Sequence, residues 1–170
     1  MNRRMAHLRA LVETGLELSG DFCCEAVLQR IVEQVVELAG CRYGALAVLD
    51  NQGRIAQLYT AGVDPSTRAA IGHLPEGKGI LEVAIREQKV LRLRDLTRDP
   101  RACGFPPHHP PMKSFLGVPI IAQGQVLGEL YLAERQEAEA FSAEDEALVV
   151  ALARHAAIAI ENARLFQEME

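Results

Sequence analysis

The sequence has no run of about 20 consecutive apolar residues, the length a helix needs to cross a bilayer. Its most apolar stretch, near the C-terminus, is interrupted by Arg154, His155 and Glu161. Met1 to Met5 carries two arginines, but no apolar block follows, so no secretory signal is expected and the predicted location is the cytosol. Lys and Arg total 18 against 23 Asp and Glu, a net charge of −5. Binding to nucleic acid or an anionic membrane draws on clustered Lys and Arg, so neither partner is expected for the surface as a whole. The four cysteines, Cys23, Cys24, Cys41 and Cys103, make no C-x-x-C pair and no zinc spacing, so they read as reduced structural thiols. Cys103, beside Gly104 in a loop, is the one candidate for redox activity. Gly77-x-Gly79 is no phosphate loop, because both G-x-G-x-x-G and a Walker sequence are missing. No Ser/His/Asp order, metal-ligand helix or paired-carboxylate site can be argued, and an enzyme is not expected.

The remaining composition is that of an ordinary globular domain: 49% hydrophobic and 24% charged residues in a chain of 170. That length suits one domain, residues 1–170, with a core at about 22–162. Apolar spacing predicts an opening helix over residues 5–18. A second helix, which Asp21 can cap, carries Val27, Leu28, Ile31, Val32, Val35, Val36 and Leu38 and stops at Gly40. Tyr43 to Leu49 and Arg54 to Thr60 read as a hairpin about Asp50-Asn51-Gln52-Gly53. Short helices are expected from Asp64-Pro65 to Ile71 and from Ile80 to Arg86, and a strand from Val90 to Leu93. Asp95 to Met112 has no period and holds five of the eight prolines, the mark of a functional or disordered loop. A second hairpin, Ser114–Ala122 and Val126–Ala133, turns about Gly124. Ser142, with Asp145 three residues on, then caps a long Ala-rich helix over residues 142–168. The order predicts an α+β fold, an antiparallel sheet with helices on one side.

Several segments resemble GAF domains. They are Arg42-Tyr43-Gly44-Ala45, Phe115 to Ile120, Leu127-Gly128-Glu129-Leu130-Tyr131-Leu132, Phe141 to Glu146, and Ala156 to Leu165. The resemblance runs from about Leu8 to Phe166 and implies a central antiparallel sheet flanked by helices, with the N- and C-terminal helices packed together. Two further segments, Ile71 to Gly79 and Gly104 to Met112, are similar to the first GAF domain of DevS/DosT-type sensor histidine kinases. That subgroup binds haem b and responds to oxygen, nitric oxide, carbon monoxide or redox state. By this resemblance the proximal iron ligand is His109, just before Pro110-Pro111-Met112, and Tyr131 faces the distal side. The carboxylate that some members carry on the first strand is replaced by Ala47.

The residues themselves suit such a role. A ligand histidine needs a fixed ring angle and a hydrogen bond on its second nitrogen. Prolines on both sides of His108-His109 lower the entropy lost on ordering that loop. Phe105 and Met112 offer apolar surface to a porphyrin, and the Tyr131 phenol can donate to a bound gas. Without the resemblance, a His-His pair in a Pro-rich loop would be ordinary turn chemistry and Tyr131 an ordinary strand aromatic. His108 is the rival ligand, His73 a candidate contact to a haem edge, and Lys78 and Arg92 candidate propionate partners. His7 and His155 read as structural.

Cyclic-nucleotide binding lacks half its signature, since Ala133-Glu134 stands where an Asn-Lys pair is expected, and bilin attachment lacks a Cys-His pair. The expected partners are a diatomic gas, a second copy of the chain through the terminal helices, and an output such as a histidine kinase lying outside this chain. The alternatives are a ligand-free dimerisation module or a GAF domain for another small molecule.

Overall fold

The computed structural model describes residues 24–71, 79–102, 104–105 and 107–168. The opening helix expected over residues 5–18, the Asp21 cap, His7, His73, Lys78 and Cys103 lie outside these residues. Helix α1 spans Cys24–Ala39 and strand β1 Cys41–Leu49. Strand β2 is Ile55–Ala61, helix α2 Pro65–Ile71, helix α3 Ile80–Glu87 and strand β3 Leu91–Leu93. After a 3-10 turn at Leu96–Arg98 come β4 (Phe115–Ala122), β5 (Gln125–Arg135) and the long helix α4 (Ala143–Glu168).

The five strands form one antiparallel sheet in the order β2-β1-β5-β4-β3. The chain therefore crosses over to place its last strand, β5, at the centre. Strand alternation sends Leu46 and Val48 of β1, Leu116, Val118 and Ile120 of β4, and Leu130 and Leu132 of β5 to one face. There they pack on the apolar stripe of α1, with Leu28, Val32 and Val35, and on Val149, Leu152 and Ala156 of α4. The small residues of α4 let it lie close against both β4 and α1.

Helices are not confined to that side. Helix α3 lies over the opposite face, where Ile80, Leu96 and Phe115 form a second, smaller cluster. Element order alone did not separate the two faces. The i, i+3, i+4 spacing of Ile80, Val83 and Ala84 gives α3 a buried stripe of its own, and the outer face of the sheet is where it can bury it.

Local signals at the start of α4 held as read. The Ser142 hydroxyl accepts from the Asp145 N–H at 3.1 Å, and an Asp145 carboxylate oxygen accepts from the Ser142 N–H at 2.9 Å. The same carboxylate, fully buried, takes the Arg135 Nε–H at 3.0 Å, and Arg135 also donates to the Gly40 carbonyl at 3.0 Å. One guanidinium thus ties the end of β5 to the first turn of α4 and to the α1–β1 corner. Gly128 allows the central pair of strands to touch: a Cβ there would sit 2.1 Å from the Ala47 carbonyl oxygen. Among the described residues no helix is long and apolar enough to cross a membrane.

Candidate functional site

The sheet face under α3 holds the residues that carry chemistry. Tyr131 on β5 lies opposite Ala45 of β1 and Gly117 of β4. Its ring stacks on Phe115, with centroids 6.2 Å apart and planes 27° apart. Tyr131 is half-buried, although its neighbours Leu130 and Leu132 on the same central strand are completely covered from the other side. Burial first, and the adjacent Glu129 second, push the phenol above its usual range, while Arg68 on α2 opposes them.

The loop from Gly104 to Met112 borders this face. Its end is held by backbone bonds: Leu96 donates to the Lys113 carbonyl at 2.8 Å, and Glu134 donates to the Ser114 carbonyl at 3.0 Å. The Lys113 N–H also donates to the Glu134 carboxylate. Met112 packs into the same cluster as Tyr131, Leu91 and Leu93. Left-handed backbone at Gly104 (φ 83°) and His108 (φ 69°) turns the chain back on itself. Phe105, 38% exposed, then stacks flat on the His109 ring, with centroids 4.7 Å apart and planes 6° apart.

His109 is half-buried, whereas His108 is exposed. His109 Nδ1 lies 2.7 Å from the Pro110 carbonyl oxygen. A carbonyl only accepts, so in the neutral ring this contact calls for the proton on Nδ1 and leaves the lone pair on Nε2. A metal-binding imidazole uses that tautomer, with its second nitrogen held by a backbone carbonyl. Among the described residues no group of three His, Cys, Asp or Glu side chains could hold a metal ion by itself.

One expectation changes. Arg92 pairs with Leu116, whose side chain belongs to the core face, while Leu91 and Leu93 turn to the Tyr131 side. Strand alternation therefore directs Arg92 away from the Tyr131 face, which does not favour it as a propionate partner. His155, read as structural, is buried on α4, and burial holds its imidazole below the usual range. Cys41 opens β1 as a buried free thiol whose pKa burial raises to about 12, so it is inert as a nucleophile.

One residue of the site was passed over in the sequence. Glu129 is 1% exposed, and neither carboxyl oxygen has a hydrogen-bond partner among the described residues. It stands two residues before Tyr131 and so on the same face, opposite Ala47 on β1 and Pro119 on β4. Gly117 makes room for it, since a Cβ at that position would lie 2.8 Å from Glu129 Oε1. Burial pushes its pKa well above the usual carboxylate range. The available signal was a carboxylate inside an otherwise apolar strand, in phase with Tyr131.

A family model described as GAF domain matches residues 24–161. The chain belongs to the GAF domain family, a class of sensory and regulatory modules. It is 32% identical over 111 residues to the Nif-specific regulatory protein of Azorhizobium caulinodans. That match covers 62% of this chain but 18% of the relative's length. Among solved structures it is similar to the GAF domain of a phosphoenolpyruvate-protein phosphotransferase from Coxiella burnetii, with a TM-score of 0.80, 24% identity, and coverage of 98% and 99% of the two chains. It also resembles free methionine-R-sulfoxide reductase from Neisseria meningitidis, solved with its substrate, with a TM-score of 0.71, 16% identity, and coverage of 97% and 95%. At these identities the structural likeness speaks for the fold alone.

Proposed function

We propose that this GAF domain is a haem-binding sensor of a diatomic gas or of redox state, acting in the cytosol as a binding module rather than an enzyme. His109 would hold the iron of haem b through Nε2. The observation that carries this reading is the His109 ring, whose Nδ1 is engaged by the Pro110 carbonyl at 2.7 Å, leaving Nε2 as the free donor. Haem needs only one such protein ligand, because the porphyrin supplies four, and when bound it provides an iron position open to a gas. Phe115, Met112 and Tyr131 offer an apolar wall with one phenol on it. Phe105 braces the imidazole from the loop side.

The same strand offers a route out of the pocket. Tyr131 lies four residues before Arg135, and Arg135 is bonded to Asp145 in the first turn of α4 at 3.0 Å. A shift of β5 that follows ligand binding is thereby passed to α4, the helix that would couple to an output such as a histidine kinase. Differential contact with two states is what such coupling requires. The Nif-specific relative, a regulatory protein by its name, supports a regulatory setting.

The test is the absorption spectrum of the purified chain reconstituted with haemin, oxidised and reduced. Wild type and His108→Ala are expected to show a Soret band at one haem per chain, and His109→Ala to lose stoichiometric binding with its circular dichroism unchanged. A wild-type chain without a Soret band would leave a ligand-free dimerisation module or a domain for another small molecule. Loss of haem in His108→Ala instead of His109→Ala would move the ligand one residue along the loop.

A further inference from the structure

Burying a carboxyl group without a partner is costly, and folded proteins rarely leave one so. The other charged side chain buried as deeply, Asp145, is bonded to Arg135 and Ser142. Glu129 stands apart: it is 1% exposed, and both of its oxygens lack partners among the described residues. Its cross-strand neighbours give it nothing to bond with. Across β1 lies Ala47, and across β4 lie Gly117 and Pro119, none of which brings a polar side chain. On its own face the next residue along β5 is the half-buried Tyr131. Gly117 leaves space for the carboxyl, which a methyl group would crowd at 2.8 Å. A group that is given room and kept dry, yet has no partner among the described residues, has its hydrogen-bonding capacity free for a bound molecule.

We propose that Glu129 is a ligand contact that donates an O–H hydrogen bond to a small acceptor bound beside Tyr131. Resting on the haem reading above, the acceptor is a polar diatomic, dioxygen in preference to carbon monoxide. Burial favours the protonated acid, the form that carries the donor. With haem bound, dioxygen on the iron would draw negative charge and accept a hydrogen bond from Glu129 well, whereas carbon monoxide would accept one weakly. A donor in a dry site discriminates between the two, and a hydrogen bond there is worth about tenfold in dissociation rate or more.

The experiment compares wild type, Glu129→Gln and Glu129→Leu, each reconstituted with haemin. Stopped-flow gives oxygen dissociation, flash photolysis gives carbon monoxide binding, and infrared absorption gives the C–O stretch of the carbon monoxide complex. Glu129→Leu is expected to lose oxygen about tenfold faster or more, with carbon monoxide binding changed by no more than a few-fold. Its C–O stretch should rise, because a donor near the bound gas lowers that frequency. Glu129→Gln keeps an N–H donor and should fall between the two. In the haem-free proteins, Glu129→Leu should melt no lower than wild type, as expected of a group kept for binding rather than for folding. A normal Soret band with unchanged oxygen dissociation and C–O stretch in Glu129→Leu overturns the assignment of Glu129 alone. A haem-free Glu129→Leu chain that melts well below wild type also overturns it, since the residue would then be a support of the fold. No Soret band in any of the three overturns the haem reading itself.

Discussion

Glu129 makes the stability of this domain depend on pH in a direction opposite to that of most carboxylates. Its folded pKa is raised by burial, while in the unfolded chain it returns to about 4.5. Between those two values the folded state holds a proton that the unfolded state has released. Stability then falls as pH rises, with a slope of about 1.4 kcal/mol per pH unit for one proton. The fall starts near pH 4.5 and levels off only above the folded pKa. Glu129→Gln is nearly isosteric and cannot ionise. The assay is urea unfolding of the haem-free wild type and Glu129→Gln at several pH values from about 5 to 8, plotted as the difference between the two. His155, held below its usual range by burial, contributes the opposite slope on the acid side of pH 6.5, but equally in both proteins. The expected difference moves against wild type as pH rises. A flat difference across the whole range would mean that Glu129 is ionised or solvated in the folded state, and the reasoning from its burial would be wrong.

Other expectations follow from single contacts. Gly128→Ala should destabilise the domain by about 3 kcal/mol or more, beyond ordinary overpacking, because its Cβ would sit 2.1 Å from a backbone oxygen of β1; a chemical-denaturation midpoint within error of wild type would refute the close strand contact. Ile158 and Leu165, 46% and 58% exposed on α4, lie seven residues apart and so near one helical face. If that face pairs two copies, sedimentation should give a dimer at micromolar concentration, and Ile158→Glu with Leu165→Glu a monomer. A wild-type monomer at high micromolar concentration would end that reading.

How much of this could be read along the chain depends on how local each signal is. The Ser142–Asp145 cap, the hairpin at Gly124 and the apolar stripe from Val27 to Leu38 each lie within a few residues of one another. Turn chemistry, capping and periodicity are themselves short-range, so these elements could be placed without a structure. The loop from Gly104 to Met112 was legible as unusual for the same reason, through its prolines and its lack of any period. The tautomer of His109 was not, because it depends on where the Pro110 carbonyl falls after Gly104 and His108 turn the chain.

The two faces of the sheet were decided by tertiary structure alone. A period of two says that Glu129 and Tyr131 share a side, and that Arg92 and Leu91 do not, but not which side a helix will cover. That depended on the crossover that puts β5 between β1 and β4, and on α3 closing over the face that α1 and α4 leave. Only then did a glutamate in an apolar strand become a buried acid with no partner among the described residues, and Arg92 turn away from the Tyr131 face. Burial and the absence of a partner are properties of a residue's surroundings, and those surroundings come from strands many residues apart in the chain.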